Sequence, residues 1–157
     1  MARDTLPGRS FWRRIDVAIN NNPRPLPRFP EPDTESFWTA TREHRLMYQL
    51  CNDCGGLVFY ARRHCIHCLG DSLNWHESSG TGTIYSFTVV RRSAQPFFAD
   101  RLPYIIVIVD LAEGFRMLSE LVGTDPRQVR IGDPVVLDWE DHATLSLPLF
   151  RVTAHGS

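Results

Sequence analysis

Two cysteine pairs, Cys51-Asn52-Asp53-Cys54 and Cys65-Ile66-His67-Cys68, contain every sulfhydryl of the chain. Two thiolates three residues apart on a tight turn grip one edge of a tetrahedron, and a second pair closes it at metal–sulfur distances of about 2.3 Å. All four coordination positions are then filled by protein. A catalytic zinc keeps one position open for water or substrate, so an ion held by four thiolates is predicted to hold a fold together and do no chemistry. Zinc is the expected metal, with iron in a rubredoxin-like knuckle as the chemical alternative. Disulfides would need a secretory route. The start Met1-Ala2-Arg3-Asp4-Thr5 is polar, unlike a signal segment, which points to a cytoplasmic chain. His64 and His67 lie among the cysteines, but with four thiolates available they are expected to face solvent.

At 157 residues, 43% of them apolar, the chain has room for one or two small domains. No apolar run is long enough to span a membrane. All 17 basic side chains are arginines, and 18 acids balance them, which leaves no charge excess for gripping a phosphate backbone.

Three regions follow from composition. Residues 1–45 form a helical, proline-rich N-terminal arm. In it Phe11, Trp12, Ile15 and Ile19 share one face of a helix over residues 10–19, capped by Ser10. Five prolines between Pro23 and Pro32 then forbid regular hydrogen bonding, and a second helix, capped by Asp33 or Thr34, runs through Phe37, Trp38 and Thr41 to about His44. Residues 46–78 are a zinc ribbon. A strand over 46–50 enters the first cysteine pair, Gly55 and Gly56 give the knuckle its backbone freedom, and residues 57–60 leave as a second strand. So short a segment buries too little apolar surface to fold without its metal.

Residues 79–157 are rich in strands, at 83–90, 104–111, 115–121, 135–139 and 149–153, with residues 104–111 apolar on both faces. Ala112-Glu113-Gly114 reads as a hairpin turn, and Gly80 and Gly82 let the first strand bend. Five such strands predict a small OB-fold barrel, since an Ig-like sandwich wants about seven. The chain is therefore expected to be mainly β, with a helical arm, a rubredoxin-like ribbon and a C-terminal barrel.

At this point the chain resembles a known family. Cys51-x-x-Cys54-Gly55, Cys65-x-x-Cys68, Gly80-x-Gly82-x-Ile84-Tyr85-Ser86, Pro103-Tyr104, Leu111-x-x-Gly114 and Ile131-Gly132-x-Pro134-Val135 follow the pattern of the acyl-CoA-associated zinc-ribbon/OB-fold family, catalogued as the domain of unknown function thirty-five. The resemblance covers about residues 35–153. One departure is that Tyr60-Ala61-Arg62-Arg63-His64 stands where the family often has prolines. The resemblance implies a small, non-catalytic subunit of a hetero-oligomer, working beside a thiolase-like large subunit and helping to shape its acyl-CoA site. β-Ketoacyl-CoA cleavage or formation is the reaction implied, with an acyl-CoA aldolase or hydratase complex as the alternative. The residues agree with a non-catalytic role, because thiolysis needs free cysteines with a histidine and here metal claims all four.

An acyl-CoA partner would bring phosphates that suit guanidinium forks, which makes Arg62, Arg63, Arg91 and Arg92 the candidate contacts, placed where ribbon and barrel could face each other. An ordinary solvated charge cluster is the alternative. Phe97 and Phe98 sit in a segment joining two strands, where adjacent phenylalanines are unfavourable in water. They are expected to insert into the partner or line an acyl pocket, unless they fold back over the barrel's end. Glu140 and Asp141 read as a solvated turn. Nucleic-acid stacking on Tyr85 and Phe87 is a lesser reading that the charge balance disfavours.

Overall fold

The architecture was analysed in a computed structural model, which describes residues 23–27 and 32–153. The helix expected over 10–19 lies outside the described residues. The elements run α1 (Pro32–Thr41), β1 (Met47–Cys51), β2 (Leu57–Val58), β3 (Leu73–Glu77), β4 (Thr81–Val90), α2 (Pro96–Ala99), β5 (Tyr104–Leu111), β6 (Arg116–Leu121), β7 (Pro134–Asp141) and β8 (Ser146–Val152).

Helix α1 starts on Pro32, whose missing N–H costs nothing in a first turn, and Asp33 and Glu35 sit at the positive end of its dipole. The expected caps therefore lie inside the first turn instead. The helix stops where His44 turns left-handed at φ 58°: Arg45 N–H donates to Ala40 C=O and His44 N–H to Thr41 C=O, a Schellman closure. Phe37 and Ala40 face inward.

The ribbon is a three-stranded antiparallel sheet ordered β2-β1-β3, one strand more than expected. Strand β3 pairs with all of β1, from Met47 opposite Glu77 to Cys51 opposite Leu73. Its composition, Leu73-Asn74-Trp75-His76-Glu77, mixes a two-residue alternation with poor strand formers, so pairing with β1 rather than propensity makes it a strand.

All five predicted barrel strands are present, and they close in the order β4-β5-β6-β8-β7. Closure requires β4 to pair with β5 through residues 82–90 and with β7 through 81–83. Gly82 makes that double pairing possible, because a Cβ there would stand 2.3 Å from the Asp110 carbonyl oxygen. Tyr85 is the extra residue of a bulge between Ile84 and Ser86, which adds the bend. Inward along β5 point Ile105, Val107, Val109 and Leu111, all buried, and they meet Ile84, Met117, Leu121, Val135 and Phe150.

Ribbon and barrel share one core. Phe37, Ala40, Leu46 and Met47 belong to the same buried cluster as the barrel residues, with Tyr48, Phe59 and Trp75 packed against it. An aromatic seam marks the join: Phe115 lies 4.4 Å from Phe59 and 5.4 Å from Tyr48, ring centroid to centroid. A second, small cluster of Cys51, Val58 and Cys65, with Leu73 against it, forms the far end of the ribbon.

Glu113, in the β5–β6 turn, ties the junction between the two sheets. Its carboxylate accepts from Ser79 N–H at 2.6 Å and from Ser78 Oγ at 2.8 Å. Burial pushes its pKa up, but the Ser79 and Ser78 donors outweigh that and hold it below the usual 4.5. A depressed carboxyl stabilises the fold fully above its unfolded value, and that contribution is lost as pH falls through the lower folded value. Glu113→Gln is therefore expected to cost about 1–2 kcal/mol at pH 7 and to flatten the stability profile below about pH 5, measured by urea melts across pH. An unaltered acid limb would refute the role given to Glu113.

Candidate metal centre

Both knuckles are built by one hydrogen-bond pattern. Cys51 N–H donates to Gly56 C=O and Gly55 N–H to Cys51 C=O; fourteen residues on, Cys65 N–H donates to Gly70 C=O and Leu69 N–H to Cys65 C=O. The fifth residue of each knuckle is left-handed, Gly55 at φ 70° and Leu69 at 66°. Glycine suits the first; the second places a leucine there, 78% exposed, so its side chain gains no burial in return. Next to these, Gly56 lets the His67 ring lie against the backbone, where a Cβ would come within 2.3 Å. His67 is exposed as expected, yet it is also held, with Nε2 3.0 Å from the Leu57 carbonyl oxygen. It braces one knuckle against the other.

The four sulfurs converge, with all ligand atoms within 4.8 Å of one another. Cys51 and Cys68 stand 3.6 Å apart, as do Cys54 and Cys65. A tetrahedron with metal–sulfur bonds of about 2.3 Å has edges of about 3.8 Å, so the donor set fits a four-coordinate ion. Each short edge joins one cysteine of the first pair to one of the second, so the sulfurs bridge the knuckles. Cys51 and Cys65 are buried and Cys54 and Cys68 exposed.

Charge makes the same demand. The Gly70 amide draws the Cys68 thiol down, but the sulfurs of Cys54 and Cys51 and loss of solvent outweigh it and push the pKa up to about 12. Burial opposes ionisation of Cys65 as well, yet the Cys68 and His67 amides and its sulfur neighbours bring it down to about 6. Four thiolates cannot ionise side by side unless a cation neutralises them, and a coordinating thiol is deprotonated outright. Any such ion would be fully enclosed by sulfur and would serve to hold the tip together.

The other candidate residues are dispersed. Arg62 and Arg63 lie in the ribbon after β2, where Arg62 N–H donates to the buried Gln49 Oε1. Arg91 and Arg92 follow the last residue of β4. All four are exposed. A cleft of about 470 Å³ does open between α1 and the ribbon, lined by Glu35, Glu43, Arg45, Met47 and Trp75, but its carboxylates disfavour a phosphate ligand.

Phe97 and Phe98 lie on the short helix α2 and are half-buried. Their rings meet edge to face at 5.0 Å, and Phe98 stacks on Tyr104 at 5.0 Å. Of Glu140 and Asp141, Asp141 is exposed as expected, whereas Glu140 is not a solvated turn residue. They end β7, and Glu140 is tied to Arg24 at 2.7 Å and His142 at 2.9 Å. Sequence pattern could not reveal the tie to Arg24, because it spans 116 residues. Of the stacking aromatics, Phe87 packs on the core, and Tyr85 carries the Arg116 guanidinium 3.5 Å from its ring centre. They offer no joint platform for bases.

Comparison with known proteins accords with this architecture. Residues 38–74 match the rubredoxin-like zinc ribbon domain of ChsH2, and residues 75–140 its C-terminal OB-fold domain. A DUF35 domain-containing scaffold protein of Methanothermobacter thermautotrophicus is 35% identical over 95 residues, which cover 60% of this chain and 71% of that protein. The chain belongs to the DUF35 family. A chain solved in a structure described as an Ltp2–ChsH2(DUF35) aldolase superposes with a TM-score of 0.73 at 35% identity, over 82% of this chain and 98% of the other. A probable enoyl-CoA hydratase alpha subunit of Thermomonospora curvata is 40% identical over 120 residues, 74% of this chain. The chain spans only 36% of that relative's length. Among the described residues, no helix is long and apolar enough to cross a membrane.

Proposed function

We propose that this DUF35 chain is the non-catalytic subunit of a cytoplasmic, hetero-oligomeric acyl-CoA enzyme, docked on a thiolase-like large subunit that makes or breaks a carbon–carbon bond. Zinc in the four-cysteine centre keeps the ribbon rigid for that contact. The observation that carries the reading is the match to the chain of the Ltp2–ChsH2(DUF35) aldolase, at 35% identity across 98% of its length. Chemistry supports it too, since Cys51, Cys54, Cys65 and Cys68 are the chain's only cysteines and all face one ion site. In this reading Arg62, Arg63, Arg91 and Arg92 offer guanidinium forks to CoA phosphates, and the exposed edges of Phe97 and Phe98 meet the partner.

A second reading, an accessory part of an acyl-CoA hydratase, is favoured by the Thermomonospora relative. The two separate in one experiment. The chain is co-expressed with a thiolase-like protein and, in parallel, with a hydratase subunit from the same source, and each product is weighed by native mass spectrometry with metal analysis. A zinc-containing heteromer with the thiolase-like protein is expected. Capture by the hydratase alone would establish the second reading, and co-purification with neither would overturn both.

A further inference from the structure

Arg24 belongs to a stretch, residues 23–27, that has no regular secondary structure and three prolines, so no ladder of backbone bonds can hold it. Yet its side chain is only 11% exposed. Its guanidinium forks onto two strands at once, with Nη1 2.7 Å from Glu140 Oε2 on β7 and Nη2 3.0 Å from Glu120 Oε2 on β6. The rings of Phe97 and Phe98 on α2 stand 5.6 and 5.4 Å from its central carbon. Glu140 is also reached by Arg101 at 3.4 Å and by His142 at 2.9 Å, whereas Arg24 is the cation paired with Glu120 among the described residues.

Among the described residues, the walls of this pocket come from the barrel and its α2 corner, and the occupant comes from the arm. Two carboxylates on separate strands at fork spacing, beneath two aromatic faces, are the chemistry that recognises a planar guanidinium rather than a compact ammonium. Glu120 is 6% exposed, so an empty pocket would leave a buried carboxylate without its counter-ion, which is strongly unfavourable. We infer that Glu120, Glu140, Phe97 and Phe98 form a guanidinium-binding site of the barrel. The chain's own Arg24 fills it as an intramolecular ligand and pins residues 23–27 as a strap. An arginine side chain from another protein can enter only when the strap has left.

The test uses the full-length chain with Arg24→Ala, titrated with N-acetyl-arginine amide and with guanidinium at millimolar concentration and constant ionic strength, while the ring signals of Phe97 and Phe98 and the Tm are followed. Saturable binding with recovery of Tm is expected in R24A. At least tenfold weaker binding is expected in the unaltered chain, whose pocket is filled, and none in R24A/E120Q. Methylammonium at the same concentration is expected to give no recovery. If R24A does not fold alone, its refolding by guanidinium and not by sodium is the same positive result, and the milder Arg24→Gln provides a second host. Absence of saturable binding or rescue in both R24A and R24Q would overturn the inference. So would equal binding to R24A and to R24A/E120Q.

Discussion

Replacing Cys65 by serine is expected to reduce the metal content from about one ion per chain to near zero and to unfold the ribbon tip, leaving the barrel standing. The structure divides the ribbon energetically. Its inner half, with Met47, Tyr48 and Trp75, packs into the core shared with α1 and the barrel. Its outer half has only Cys51, Val58 and Cys65 buried, with Leu73 against them. That is too little apolar area to offset the entropy of ordering two knuckles. The binding free energy of the ion, about 10 kcal/mol or more for a structural zinc site, is therefore the folding free energy of the tip. Elemental analysis together with amide hydrogen exchange checks this. Fast exchange over residues 51–73, with protection retained over Tyr104–Leu111 and Ser146–Val152, is the expected pattern. A variant that keeps its ion, or a barrel that melts along with the tip, would contradict the division.

Truncating Phe115 to alanine should be the most damaging single change at the seam, at about 3–5 kcal/mol, because the ring is 5% exposed and touches both Phe59 and Tyr48 of the ribbon. Phe115→Leu keeps most of the volume and should cost about 1.5 kcal/mol or less. The pair is informative because the seam couples two sheets that have separate hydrogen-bond ladders. With the ring gone, urea unfolding followed by Trp75 fluorescence and by barrel amides should split into two transitions where the unaltered chain shows one. A loss under about 1 kcal/mol with one shared transition would mean that Phe115 is not the keystone of the join.

Cysteine spacing announced the ribbon because a tetrahedral ion tolerates few arrangements of four thiolates, and the sulfurs do converge as the spacing required. The barrel was equally legible. Its strands carry long β-branched runs, and Gly82 stands where two neighbouring strands must both be reached. Strand β3 escaped notice because Asn74, His76 and Glu77 are weak strand formers made regular by a neighbour. Helix α2 escaped because four residues are too few for a period to show.

Sequence pattern alone thus determined the two cysteine pairs and the five barrel strands, since each pair and each strand is written in residues within a few positions of one another. Tertiary structure decided what long-range contact must decide. It stacked Phe98 on Tyr104 of β5 and turned Glu140 from a solvated acid into an anchor for Arg24. Those outcomes depend on which distant groups can lose water together, and an ion pair spanning 116 residues leaves no trace in either local sequence.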